Sequence, residues 1–139
     1  MALLLAIAAG CGGPIASSPV ASALAEVLAA SPRPATIDLG EITDFAWDQV
    51  FVFGPYTPEA TIDETLGFQW RSRESDEIQR NDYANLLVFL SAGKVVNATL
   101  VPRGQPEFST LNGPIRLDRA DAVFRFGLNG AAGWSPVGQ

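Results

Sequence analysis

The chain contains no histidine and only one cysteine, Cys11. Without imidazole there is no Ser-His-acid triad, no Cys-His pair and no histidine metal site. A lone cysteine forms no disulfide within the chain, so the folded part must rely on its core. Basic residues are also scarce: 9 Lys and Arg stand against 15 Asp and Glu, for a formal net charge of -6. With no basic run, nucleic acid is excluded as a partner, because phosphate binding draws on clustered Lys and Arg. The same balance disfavours adsorption to anionic lipid. Phosphate-cradling glycine motifs and EF-hand spacing are missing, and Gly10-Cys11-Gly12-Gly13 lacks the Gly-Lys-Ser/Thr of a P-loop. No cofactor and no metal is therefore expected. No period of 20 to 50 residues repeats, which excludes solenoids and propellers.

What is present begins with an apolar run, Met1 to Gly10, ending at Cys11. It is shorter than the ~20 residues a membrane-spanning helix needs and suits the apolar region of an export signal. The alternative, a helix buried in the core, is opposed by the helix-breaking Gly12-Gly13-Pro14 that follows. Ala8-Ala9-Gly10-Cys11 resembles the lipobox of bacterial lipoprotein precursors, with Ala8 in place of the usual leucine. That resemblance implies diacylglycerol, then palmitate, on Cys11, with cleavage before it and anchorage in the cell envelope facing the periplasm. Gly12, where an Asp acts as an inner-membrane retention signal in many enteric bacteria, tilts the expectation to the outer membrane. A rival is cleavage after Ala23-Leu24-Ala25, an A-x-A pattern that releases a soluble periplasmic or secreted protein. No Lys or Arg precedes Arg33, so the natural start is expected upstream.

Residues 12–36 are mostly Gly, Ala, Ser and Pro, with only Glu26 and Arg33 charged, and read as a flexible tether, in which Val20 to Ala30 could form a short helix. Residues 37–128 read as a single domain, and 129–139 as a mobile tail with Trp134 a candidate to be pinned. Within the domain Phe45, Trp47, Phe51 and Phe53 share one parity and so one face of a strand, with Asp48, Val50 and Val52 on the other. Gly54-Pro55-Tyr56 turns the chain. Thr57-Pro58-Glu59 starts a helix over 58–66 by hydroxyl cap, first-turn proline and acid at the positive helix end, and Gly67 stops it. Ile62 and Leu66 form its buried stripe, and Phe68-Gln69-Trp70 leaves as a strand.

Arg71 to Asp82 is charged and lacks periodicity, which predicts a solvated connection. Ala84 to Leu90 and Val95 to Val101 are joined by Ser91-Ala92-Gly93-Lys94, a tight hairpin. Pro102 to Pro114 is a loop whose Phe108 and Leu111 are expected to fold back on the core. Ile115 to Leu117 and Ala122 to Phe126 read as a second hairpin or bent strand pair. The fold class expected is α+β: an antiparallel β-sheet of about four to six strands with one short helix packed on it.

The block from Trp47-Asp48 through Phe51-Val52-Phe53 to Pro55-Tyr56-Thr57, followed by Leu66-Gly67-Phe68-Gln69-Trp70, resembles a signature of small bacterial lipoproteins without assigned activity. The similarity extends to the Leu87-Val88-Phe89 to Gly93-Lys94-Val95 hairpin and covers roughly half the chain. A looser similarity is to outer-membrane assembly lipoproteins and the β-lactamase inhibitor-like fold, where a helix ending in Leu-Gly precedes such a hairpin. Those folds begin with two helices, whereas this domain is expected to begin with a strand.

Three functions follow from these residues. The first is a non-enzymatic, lipid-anchored interaction module that docks another envelope protein through Tyr56, Thr57, Trp70 and the 71–82 connection. Its aromatics otherwise serve the core, and Tyr56 and Trp70 stand out because each lies at an element end with a polar handle. The second is a carboxylate-dependent hydrolase of cell-wall glycan with Asp48 and Glu59 as the acid pair, drawn from the grouping Asp44, Asp48, Glu59 and Asp63. Such chemistry needs carboxyls about 5 to 9 Å apart. Against it, Glu59 and Asp63 are explained by the helix dipole and Asp48 by a cap or a bridge to Tyr56 or a backbone N–H. The third is a small apolar-ligand carrier with a cavity lined by Phe51, Phe53 and Leu100.

Overall fold

In the computed structural model, which describes residues 18–128 and 133–138, two antiparallel sheets and a few short helices give an α+β fold. The larger sheet has strand order β4-β3-β2-β5, formed by β2 (Gln49–Phe53), β3 (Ala84–Ser91), β4 (Lys94–Pro102) and β5 (Ile115–Asp118). The smaller is β1 (Thr36–Asp38), β6 (Val123–Phe126) and β7 (Trp134–Pro136), in the order β1-β6-β7.

The expected hairpin forms as β3 and β4, turning through Ala92 at φ 51° and Gly93 at φ 76°. Two successive positive-φ residues match the right-handed twist of the flanking strands, which is why glycine stands there. The larger sheet has no solvent face over most of β2 and β3. On one side Val50, Val52, Leu87, Phe89 and Val101 meet Ile37, Phe124 and Trp134 of the small sheet. On the other Phe51, Phe53, Leu86, Val88 and Leu100 meet helices α3 (Glu59–Leu66) and α4 (Arg73–Ile78) through Ile62, Leu66 and Ile78.

Several sequence expectations are corrected. The regular strand begins only at Gln49, so Trp47 leaves the parity of Phe51 and Phe53. It packs against Phe89 on the opposite face, with ring centroids 5.0 Å apart. Arg71 to Asp82 is not a bare connection but carries α4. Ser72 and Ser75 cap it reciprocally, side chain to backbone in both directions, and Ile78 anchors it. Phe68 to Trp70 is irregular rather than a strand. β5 and β6 do not pair with each other: a 3-10 turn, Arg119–Asp121, sends β5 to β2 and β6 to β1. Of the two apolar residues on the 102–114 loop, Phe108 is buried against Phe124, whereas Leu111 is 98% exposed.

The tether expectation changes most. Helix α1 (Pro19–Ala29), capped by Ser18 with its hydroxyl accepting from Ala21 N–H, buries Val20, Ala21 and Leu24 against the main core. Val27 and Leu28 pack beside them, so the apolar spacing is the i, i+4, i+7, i+8 of a helix with one buried face. Tail residues 129–132 and 139, together with 1–17, lie outside the described residues. Trp134 is buried and β7 pairs with β6, so residues 134–136 are part of the sheet rather than tail.

The loop before β2 is held by Arg119. Its guanidinium donates to the carbonyls of Gly40 at 2.9 Å, Phe45 at 3.3 Å and Trp47 at 3.4 Å, and lies 4.7 Å from the Trp47 ring centroid. One side chain thus joins the turn after β5 to the short helix α2 (Leu39–Ile42) and to the start of β2.

Candidate functional site

The turn leaving β2 is Gly54-Pro55-Tyr56-Thr57. Tyr56 takes φ 60°, a left-handed conformation that costs a residue with a Cβ about 1–2 kcal/mol. Two bonds hold it there: Tyr56 N–H donates to Ile78 O at 2.8 Å, and the Thr57 hydroxyl donates to Gly54 O at 2.6 Å. Gly54 has no room for a side chain, because a Cβ would collide with the Thr110 hydroxyl. The Tyr56 side chain is left 58% exposed, so the fold fixes its backbone and presents its ring.

Thr57, expected to cap α3, is spent on that turn. The helix N-terminus is served instead by Gln79 at the end of α4, whose Oε1 accepts from Glu59 N–H at 3.3 Å. Gly67 closes the helix at φ 87°, donating to Asp63 O. Just beyond, Asp63 Oδ1 accepts from Trp70 N–H at 3.0 Å, and Arg71 Nη1 donates to both Asp63 oxygens at 2.8 and 2.9 Å. Arg71 also pairs with Glu59 and donates to Trp70 O. The Trp70 backbone donation holds the Asp63 carboxyl below its ordinary value, partial desolvation works the other way, and Arg71 adds to the lowering. Both Arg71 pairs are solvent-screened, so they add little to stability and serve chiefly to position Trp70. Trp70 itself is half-buried against the α3–α4 side of the sheet.

Tyr56, Thr57 and Trp70 therefore lie on the layer built by α3, α4 and the connections that flank them. Asp48 and Glu59 are not brought together. Asp48 precedes β2 and its Oδ2 accepts from Ala92 N–H at 2.9 Å, bracing the β3–β4 hairpin turn. Glu59 follows the other end of β2, and five residues of strand separate the two by well over ~10 Å. That exceeds the reach of a glycosidase pair. The bridge from Asp48 to a turn N–H does exist, to the hairpin rather than to Tyr56. Asp44 is exposed on the loop after α2. Phe51 and Phe53 stack at 6.4 Å and pack in one core cluster with Leu100, Ile62 and Ile78. A 170 Å³ groove lies elsewhere, between α1 and the α2–β2 connection, lined by Pro19, Val20, Ala23, Ile42, Thr43, Asp44 and Phe45.

Cys11 lies outside the described residues. Among the described residues no group of three or more His, Cys, Asp or Glu converges as a metal site, and no helix is long and apolar enough to cross a membrane. Asp63, which organises the Trp70 end of the layer, is absent from the sequence expectations for the docking surface, and Gln79, which serves the start of α3, enters them only as one residue of the 71–82 connection. The legible signal was Ser72-Arg-Glu-Ser75, a reciprocal cap that would have made α4 a helix and placed Gln79 at its end.

Comparison with known proteins finds no match: no family model, no curated protein and no solved structure is significantly similar to this chain.

Proposed function

We propose that this is a lipid-anchored bacterial envelope protein, acylated at Cys11, whose domain is a non-enzymatic module that docks another envelope protein through the Tyr56 turn and the neighbouring Trp70 loop. The observation that carries the docking reading is Tyr56: a half-exposed aromatic locked at φ 60° by two hydrogen bonds. Aromatics held rigid before binding lose little entropy on contact and dominate interface energetics. The anchoring reading rests on the Ala8-Ala9-Gly10-Cys11 pattern, the apolar run before it and the resemblance of the Trp47–Thr57 block to small lipoproteins. With Cys11 in that role, the domain faces the periplasm, and Gly12 favours the outer membrane.

The test places a photo-reactive amino acid at position 56 or 70 in the full chain and, as control, at Arg125, which lies on the small sheet. Cross-links to one envelope protein from 56 and 70 but not from 125 support the reading. Equal yields from all three sites, or none, overturn it. Labelling cells with an alkyne palmitate, with Cys11→Ser as comparison, reads the anchor separately: label that survives the substitution refutes lipidation at Cys11.

A further inference from the structure

The docking of α1 on the core fixes where the chain emerges. An unstructured 12–36 segment would let the domain stray ~85 Å from Cys11, at about 3.4 Å per residue. With α1 packed, the described chain begins at Ser18, and the seven steps back to Cys11 reach at most ~25 Å even when fully extended.

The exit point also has a definite place on the domain. Pro19 and Val20 share the groove with Ile42, Thr43, Asp44 and Phe45, and Phe45 stacks edge-on against Phe89 at 5.2 Å. Phe89 pairs with Val50 near the start of β2, beside the hairpin turn that Asp48 braces. The chain thus emerges at the end of the larger sheet where β2 begins. Tyr56 follows the other end of β2, and the six steps from Asp48 to Gly54 span ~20 Å.

We propose that α1 orients the domain on the membrane, its N-terminal end and the Glu41–Phe45 connection facing the lipid headgroups and the Tyr56 turn facing away. This rests on the lipidation of Cys11 proposed above. The occupant of the α1 end is the bilayer surface, by reason of the short chain that joins them. Glu41, Asp44 and Asp48 are exposed at that end, so anionic lipid repels it and the covalent reach, not adsorption, sets the distance. A partner meeting Tyr56 then approaches from the periplasmic side.

Lipidated full-length protein in phosphatidylcholine vesicles with nitroxide-labelled headgroups tests this, using a fluorescent coumarin amino acid at position 44 or 56. Quenching several-fold stronger at 44 than at 56 is expected. A ten-residue Gly-Ser insertion between Gly13 and Pro14 adds ~35 Å of reach and leaves the packed domain untouched, so it should shrink that contrast. Equal quenching at the two positions, or a contrast the insertion does not change, overturns the orientation. Mass spectrometry of the purified chain reports the lipid independently. If Cys11 proves free, the anchoring reading fails, and coupling its thiol to a maleimide phospholipid in the same vesicles still decides the orientation.

Discussion

Replacing Tyr56 by glycine separates folding from docking, because opposing contributions to stability nearly cancel. Glycine occupies φ 60° freely, which relieves about 1–2 kcal/mol of backbone strain. Against that, the unfolded chain gains freedom worth about 0.4–1 kcal/mol. The contacts of a ring that is 58% exposed are worth about 1 kcal/mol more. We predict a stability within about 1 kcal/mol of the parent, read by urea unfolding followed through tryptophan emission, together with loss of the position-70 cross-link to the envelope partner. Tyr56→Ala keeps the strain and loses the ring, so it should be the less stable of the two. A loss above ~3 kcal/mol for the glycine variant, the cost of truncating a core aromatic, would refute the reasoning: Tyr56 would then be structural and not a presented anchor.

Other substitutions probe the supports of that surface. Arg119→Ala removes three carbonyl contacts and a cation–π contact with Trp47 and should cost about 2–4 kcal/mol in urea unfolding; Arg119→Lys should recover little, since one ammonium cannot reproduce the planar fork. Leu24→Ala should cost about 2–4 kcal/mol because α1 is part of the core, and a cost near zero would mean that 12–36 behaves as a tether. Asp63 has a lowered folded pKa, so its contribution is fully present above its ordinary value of 3.8 and is lost as pH falls through the folded value. Trp70 emission should therefore shift in acid below about pH 4, and Asp63→Asn should show the shifted emission already at pH 7; an unchanged Asn variant at pH 7 removes the role assigned to Asp63.

The hairpin and α3 were legible because their signals are local: Gly93 in a two-residue turn, and Pro58 and Gly67 at the ends of a helix with Ile62 and Leu66 one turn apart. The partition of aromatics between two cores was not. The irregular stretch 43–48 before Gln49 lets Trp47 turn to the other face, and parity counting assumes an unbroken strand. A short helix over Val20 to Ala30 was legible and forms as α1, but Ala, Ser and Pro suggested a linker and so concealed its packing on the core, which Val20, Leu24, Val27 and Leu28 provide by their helical spacing. For the site, the exposed Tyr56 at an element end was legible. The separation of Asp48 from Glu59 was not, because it depends on their flanking the same strand at opposite ends.

The sheet that separates the two cores is also what joins them. Each residue of Ala84–Leu90 is buried, and neighbours in sequence serve opposite sides. Neither layer can be lost while the other keeps its wall: melting the α3–α4 side would bare Leu86 and Val88 and leave the strands behind Leu87 and Phe89 unsupported. Helix α1 and the turn that presents Tyr56 therefore belong to one cooperative unit, and unfolding should appear as a single transition whether followed at Trp47, Trp70 or Trp134.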